Sequence, residues 1–256
     1  MKKLLPLILF AFISMATGFK SNAAVSFDNE TLKYVVTYKW GLIHKDAGDV
    51  TLRLHRSGNH YDIRMVAHSR SWADRIYRVR DTLFSTIRVA DLKPVYYAKH
   101  MHEKNKHRID EIKYKYSGNH VTGDIAIKKF GENGVDVSEK SLSATGPVFD
   151  FLSVFYYLRK LDYSKLDKYK RYTSTVFSGS KKETVKIKSL GKTKLKMRDK
   201  TVREAYHIQF NFTQKGGKKS SDDIDCWLSV DKDHEPLYLV GKLPVGEVRV
   251  YLTSAR

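Results

Sequence analysis

Alternation of apolar and polar residues is the dominant pattern in this 256-residue chain, and it predicts β-strands. From Leu32 to Trp40 every second residue is apolar, which is the period of a strand with one buried face. The same period flanks two Ser-Gly-Asn turns, at 57–59 and 117–119. Because Gly and Asn adopt positive φ readily, these turns predict two β-hairpins.

Further alternating runs extend the pattern to about a dozen strands in an antiparallel meander. These runs lie at 76–79, 83–89, 172–177, 184–188, 192–197, 206–212, 226–230, 238–240 and 248–252. A loop is predicted at Gly131 to Gly134.

One segment, Thr145 to Asp162, has the composition of a fully apolar helix. Eight of the ten residues from Phe149 to Leu158 are apolar, so no polar stripe is left for water. Asp150 near the start and Arg159 near the end complement the helix dipole. The predicted fold is therefore mostly β, with one large curved antiparallel sheet or open barrel wrapped around a single apolar helix at about 145–162.

The N-terminus has the pattern of a secretory signal peptide over residues 1–24. Lys2 and Lys3 precede an apolar run from Leu4 to Ile13, and small residues follow up to Ala24. We therefore expect residues 25–256 to form a single β-rich domain that is periplasmic or secreted in a Gram-negative cell envelope. No transmembrane segment is expected in the mature chain, because no apolar stretch is long enough.

The single cysteine, Cys226, cannot form an intramolecular disulfide. It alternates with Leu228 and Val230 on one strand, which predicts a buried core thiol rather than a nucleophile.

The formal charge of +19 falls by the three lysines of the predicted signal segment, which leaves +16 for the mature chain. In an exported protein this charge favours anionic envelope material, such as lipid headgroups or acidic glycan, over nucleic acid.

Basic residues are densest between Lys181 and Arg203, where they alternate with apolar residues. One interpretation is a solvated strand face whose lysines discourage edge pairing. The other is contact with an anionic envelope polymer or headgroup, for which the candidate residues are Lys186, Lys188, Lys194 and Lys196.

Motifs for cofactor chemistry are weak. His100, His102, Glu103 and His107 include two histidines with strand spacing, but adjacent lysines oppose a dication, so no metal site is predicted. The Gly-Gly-Lys-Lys-Ser-Ser run lacks the glycine spacing of a phosphate-binding loop. We therefore predict no nucleotide and no other cofactor.

Several segments together resemble a known family. They are Tyr-Val-Val-Thr-Tyr-Lys-Trp-Gly-Leu at 34–42, Tyr-Arg-Val-Arg-Asp at 77–81, Phe-Asp-Phe-Leu-Ser-Val-Phe-Tyr-Tyr-Leu-Arg at 149–159 and Trp-Leu-Ser-Val-Asp at 227–231 with Glu-Pro at 235–236. The chain resembles the exported bacterial family catalogued as domain of unknown function 3108. The resemblance implies a β-rich exported protein and no established activity. A helicase or exonuclease label carried by some members has no support in a chain without a phosphate loop.

Three functions follow as hypotheses. The leading one is non-enzymatic binding of a lipid or amphipathic envelope ligand within the curved sheet. Its candidate ligand-binding residues are Phe151, Phe155, Tyr156, Arg159, Trp40 and Trp227. The alternative is an envelope scaffold or interaction protein with a filled interior.

The third hypothesis is a hydrolase of envelope glycan or ester bonds. It would need two of Asp150, Glu103 and Glu111 to converge in a groove. No catalytic residue is assigned on the sequence alone.

Overall fold

The computed structural model describes residues 27, 29–166, 169–214 and 221–256, so the predicted signal peptide lies outside the described residues. Fifteen strands and two helices are found in these ranges. The strands are β1 (Glu30–Trp40), β2 (Ile43–Ser57), β3 (His60–Ser69), β4 (Arg80–Arg88), β5 (Pro94–Glu103), β6 (Lys106–Ser117), β7 (His120–Gly131), β8 (Gly134–Thr145), β9 (Val148–Phe149), β10 (Arg171–Ser178), β11 (Lys181–Lys196), β12 (Val202–Thr213), β13 (Ile224–Ser229), β14 (Pro236–Lys242) and β15 (Glu247–Ala255). The helices are α1 (Ser71–Tyr77) and α2 (Phe151–Arg159).

All fifteen strands belong to one sheet, in the order β8-β7-β6-β5-β4-β3-β2-β1-β15-β14-β13-β12-β11-β10-β9. Neighbours are antiparallel except β9 and β10. At the seam, β8 contacts the β10–β11 hairpin: Lys182 Nζ donates a hydrogen bond to Ser143 O at 2.9 Å, and Lys140 Nζ donates one to Ser180 O. The sheet is therefore a nearly closed barrel, and the predicted fold class is confirmed.

The two hairpins predicted from Ser-Gly-Asn turns are present as β2–β3 and β6–β7. Gly58 and Gly118 each have a φ of 57°, which a residue with a side chain rarely adopts. Turn chemistry therefore identified these connections correctly.

Helix α2 is shorter than the predicted segment at 145–162. Gly146 takes a positive φ of 92°, and Val148 and Phe149 then pair with Thr175 and Val176 of β10. The residues before the helix are thus used in the sheet, and the helix begins only after Asp150.

A strand predicted at 76–79 is wrong, because most of this stretch belongs to α1 and its C-terminal cap. Trp72 Nε1 donates a hydrogen bond to Asp46 O at 2.6 Å, and Asp74 forms an ion pair with Arg80 at 2.7 Å. These contacts with distant parts of the chain hold the helix at the end of the barrel. Val79 alone forms a bridge, to Glu103 of β5.

Strand β8 was not predicted, and the loop expected at 131–134 is the turn that leads into it. Most of its residues are exposed, and alternation is confined to its end, where Leu142 and Ala144 pack against the core. Twelve consecutive backbone pairs with β7, from Gly131↔Gly134 to His120↔Thr145, define it instead.

The start of α2 is tied to the barrel wall by Asp150, which is completely buried. Asp150 Oδ1 accepts hydrogen bonds from the backbone N–H groups of Leu152 at 2.7 Å and Ser153 at 2.8 Å, and Oδ2 accepts one from Ser85 Oγ of β4 at 2.7 Å. In return, the Asp150 backbone N–H donates to Ser153 Oγ at 2.8 Å. Burial raises the pKa of Asp150 to about 6, although these hydrogen bonds oppose the rise.

Replacement of Asp150 by Asn should remove a pH dependence of stability. The pKa of about 6 lies above the ordinary 3.8, so the folded state binds more protons between these values. The free energy of unfolding should therefore fall by about 3 kcal/mol as the pH rises from about 4 to about 6. Asn keeps an oxygen acceptor for the cap but does not titrate. Urea unfolding of the wild type and D150N across this pH range measures the difference.

The D150A variant is the matched control. It also removes the titration, but it lacks the cap acceptor and should lose about 1–2 kcal/mol relative to D150N at every pH. An identical pH slope in the wild type and D150N would contradict the assignment.

Candidate functional site

The end of α2 is fixed by Arg159, which is buried despite its charge. Its guanidinium forms a bidentate ion pair with Glu30 of β1, at 2.5 and 3.0 Å, and Nε donates to Asp233 O at 2.8 Å. The guanidinium carbon also lies 4.9 Å from the ring centroid of Phe27. Arg159 therefore anchors the helix to β1 and to the β13–β14 turn.

The apolar residues of α2 that were predicted to line a ligand site are packed against the sheet. Phe151, Phe155 and Tyr156 are 5%, 3% and 0% exposed, and Phe151 contacts Tyr97 of β5 with ring centroids 6.2 Å apart. A cavity large enough for a lipid chain would leave accessible surface on the residues that line it. These side chains therefore fill the interior of the barrel.

The two predicted ligand-binding tryptophans lie elsewhere. Trp40 is more than half exposed at the end of β1. Trp227 lies on the outer face of β13, where its ring stacks between His207 at 4.3 Å and Tyr238 at 5.0 Å. The six predicted residues thus do not come together in one site.

An unpredicted cluster of charged residues lies inside the barrel near α1. Lys99 Nζ is 3.2 Å from Asp81 Oδ2 and 3.8 Å from Glu103 Oε1, and all three side chains are buried. Tyr77 OH of α1 donates to Glu103 Oε2 at 2.6 Å, and the His102 backbone N–H donates to Asp81 Oδ1 at 3.1 Å. Burial raises the pKa of Glu103. The cluster links α1 to β4 and β5.

A signal for this cluster is present in the sequence. Every second residue of β5 from Tyr97 to Glu103 lies on the same face of the strand. Lys99 and Glu103 therefore point into the barrel, as Tyr97 does. Strand register alone would have placed Lys99 and Glu103 inside.

The carboxylates considered for a hydrolase do not converge. Asp150 is used in the helix cap, and Glu103 is buried against Lys99 and Tyr77. Glu111 points to the outer face of β6, where it accepts hydrogen bonds from Tyr96 and Lys128.

The histidines considered for a metal are separated from Glu103 by the sheet. His102 and His107 stack on the outer face with ring centroids 3.7 Å apart, and His107 stacks in turn on Phe130 at 3.9 Å. In the described part of the chain, no group of three or more His, Cys, Asp or Glu side chains is arranged to hold a metal ion.

The predicted basic face of β11 is divided by a β-bulge between Ser189 and Gly191. Before the bulge, Lys186 and Lys188 lie on the outer face of the sheet, beside Asn211 and Gln209 of β12. The extra residue reverses the direction of the side chains that follow, so Lys194 and Lys196 lie on the opposite face of the strand. The expectation of one continuous basic face is therefore wrong.

Cys226 is buried on the inner face of β13, which confirms the predicted core thiol. Burial raises its pKa, so the reactive thiolate is disfavoured.

The fold defines a class of protein, an antiparallel β-barrel-like protein with a helix packed inside. Residues 33–253 match the model of the family described as protein of unknown function, DUF3108. The chain belongs to this family, as its resemblance implied.

A crystal structure of a β-barrel-like protein of domain of unknown function DUF1849 from Brucella abortus has a similar fold, with a TM-score of 0.58 and 11% sequence identity. The alignment covers 90% of this chain and 98% of that chain. A comparison with curated proteins gives no match. None of the helices in the described ranges has the length and apolar character needed to cross a membrane.

Removal of Glu30 should destabilise the protein strongly, because it leaves the buried Arg159 charge uncompensated. We expect E30A to lower the free energy of unfolding by about 3–5 kcal/mol in denaturant titrations. The double variant E30L/R159M removes both charges and should recover most of this loss.

The D136A variant serves as the control, because Asp136 pairs with Lys129 on the exposed surface. It should change stability by less than about 1 kcal/mol. If E30A were no more destabilising than D136A, the anchoring role of the Arg159–Glu30 pair would be refuted.

Proposed function

We propose that this protein is a non-enzymatic, periplasmic protein of the Gram-negative envelope that binds an anionic lipid or glycan headgroup on its outer surface. The observation that carries the proposal is the like-charge pair formed by Arg171 of β10 and Lys188 of β11, which are directly opposite each other. Lys186 lies two residues along the same face. The signal-peptide pattern at residues 1–24 supports the envelope location.

Opposed like charges destabilise a sheet unless an anion lies between them. The ion pairs found among the described residues do not include Arg171, Lys186 or Lys188, and Lys188 Nζ lies 5.2 Å from the ring centroid of Tyr169. Thr173, opposite Lys186, adds a hydroxyl to the same face. A phosphate or carboxylate group would accept charge-assisted hydrogen bonds from both cations and remove their repulsion.

The filled interior supports a ligand on the outside of the barrel. Phe151, Phe155 and Tyr156 are sealed against the sheet, so an acyl chain could enter beside them only by displacing α2. This same packing favours a second candidate function, an envelope scaffold or interaction protein in which the barrel only presents its surface.

Charge reversal at Lys186 and Lys188 should weaken headgroup binding. The probe is dihexanoyl phosphatidic acid as a monomer in low salt, followed by isothermal titration calorimetry, with dihexanoyl phosphatidylcholine as the neutral comparison. We expect K186E/K188E to weaken binding by at least about tenfold, because two charge-assisted contacts are lost.

The K194E/K196E variant is the matched control, since it changes the net charge equally on the opposite face of β11. Its affinity should stay within about threefold of the wild type, a change of less than 1 kcal/mol. An equal loss of affinity in both variants would show that only the net charge of the protein attracts the lipid. No binding by the wild type would leave the scaffold function as the better account.

A further inference from the structure

We infer that one end of the barrel docks on an anionic lipid bilayer through an apolar tip patch, defined as Trp40, Leu42, Ile43 and Val245. Leu42 is 105% exposed and Trp40 is 54% exposed, and the other two residues are also exposed. Large apolar side chains grouped in this way on a surface mark an interaction site.

The patch is built from two adjacent turns. Tyr38 OH of β1 donates a hydrogen bond to Val245 O at 3.0 Å, which joins the β1–β2 turn to the β14–β15 turn. Gly246 approaches β1 so closely that a Cβ would lie 2.4 Å from Lys39 O. Gly41 has a φ of 55° in the tight turn that projects Leu42. The patch is therefore presented by the ends of paired strands, which fix its position.

Exposed apolar residues concentrate at this end of the barrel. In an antiparallel meander, alternate connections lie at the same end, so the β1–β2, β7–β8 and β14–β15 turns share an end with α1. Seven of the nine large exposed hydrophobic residues in the described ranges belong to these four connections or the strand ends beside them. The seven are Trp40, Leu42, Ile43, Ile76, Val135, Val137 and Val245. Such a distribution around a rim fits an extended surface rather than a small ligand.

The charges beside the patch favour an anionic surface. Lys39, Lys45 and Lys242 flank the two turns. The acidic residues in the adjacent strand ends are already paired: Glu247 with Arg249 at 2.5 Å and Lys39 at 3.8 Å, and Asp46 with Arg70 at 3.1 Å and Arg198 at 2.8 Å. Trp prefers the membrane–water interface, and each lysine near anionic lipid adds attraction. A bilayer with anionic headgroups therefore matches the patch in both polarity and charge.

Flotation with large unilamellar vesicles tests the inference with the whole protein. Vesicles of phosphatidylcholine with about one-third phosphatidylglycerol should bind the wild type, and pure phosphatidylcholine vesicles should bind it at least about fivefold less. The W40S/L42S variant should lose at least about tenfold in partitioning, because two exposed apolar side chains no longer enter the interface. Thermal unfolding checks that this surface variant remains folded.

The V202S variant is the matched control, because Val202 is similarly exposed but lies at the start of β12, outside the tip patch. It should partition within about twofold of the wild type. Trp40 gives a second readout, since it is the remaining tryptophan in the W72F/W227F variant and vesicles should shift its fluorescence to the blue.

Failure of the wild type to bind anionic vesicles, or equal binding by W40S/L42S, would overturn the inference. K186E/K188E separates it from the headgroup site on β10 and β11. That variant should bind monomeric phosphatidic acid more weakly but should still bind vesicles. Its vesicle binding should be lost when W40S/L42S is added. A parallel loss of vesicle binding in K186E/K188E alone would assign docking to that face and refute the tip.

Discussion

Enclosure of helix α2 is the interaction on which the structure depends. A helix whose side chains are apolar on every side must be covered, and the curved sheet provides that cover. Asp150 connects the start of the helix to Ser85 of β4, and Arg159 connects its end to Glu30 of β1. Two buried ionisable groups thus fix the position of an otherwise apolar element, because an apolar surface alone does not specify direction or register.

The filled interior moves the question of function to the surface. The surface is divided by the bulge in β11, which leaves Arg171, Lys186 and Lys188 together on the outer face. The end of the barrel near α1 and the β1–β2 turn has a different character, with projecting apolar side chains. Headgroup recognition and bilayer docking are consequently assigned to separate regions of the protein.

Most of the β-structure could be predicted from the sequence, because inward-facing apolar residues alternate with outward-facing polar residues along most strands. Gly58 and Gly118 mark two of the turns. Helix α1 could not, since it depends on contacts with residues such as Asp46 that are distant in sequence. Strand β8 has little burial, so its apolar pattern is weak. Contacts with distant residues determine α1, whereas backbone pairing with the neighbouring β7 determines β8.

The candidate site was less predictable for a related reason. Apolar residues occupy odd positions before the bulge, at Val185 and Ile187, and again after it, at Leu195, although Leu190 interrupts the alternation between them. After the bulge these odd residues pack in a small outer cluster that includes Leu237, and the lysines between them reverse face. The apolar positions have the same parity before and after the bulge, so the sequence does not show that the side chains change direction there.

Hydrogen–deuterium exchange of α2 tests the central claim most directly. If the helix fills the barrel, the amides from Val154 to Arg159 should exchange only through global unfolding, with the free energy measured by denaturant. Added dihexanoyl phosphatidic acid should protect these amides no more than it raises the global stability. Exchange of α2 at a much lower free energy than global unfolding would contradict the account, because it would mean that the helix leaves the interior while the barrel remains folded.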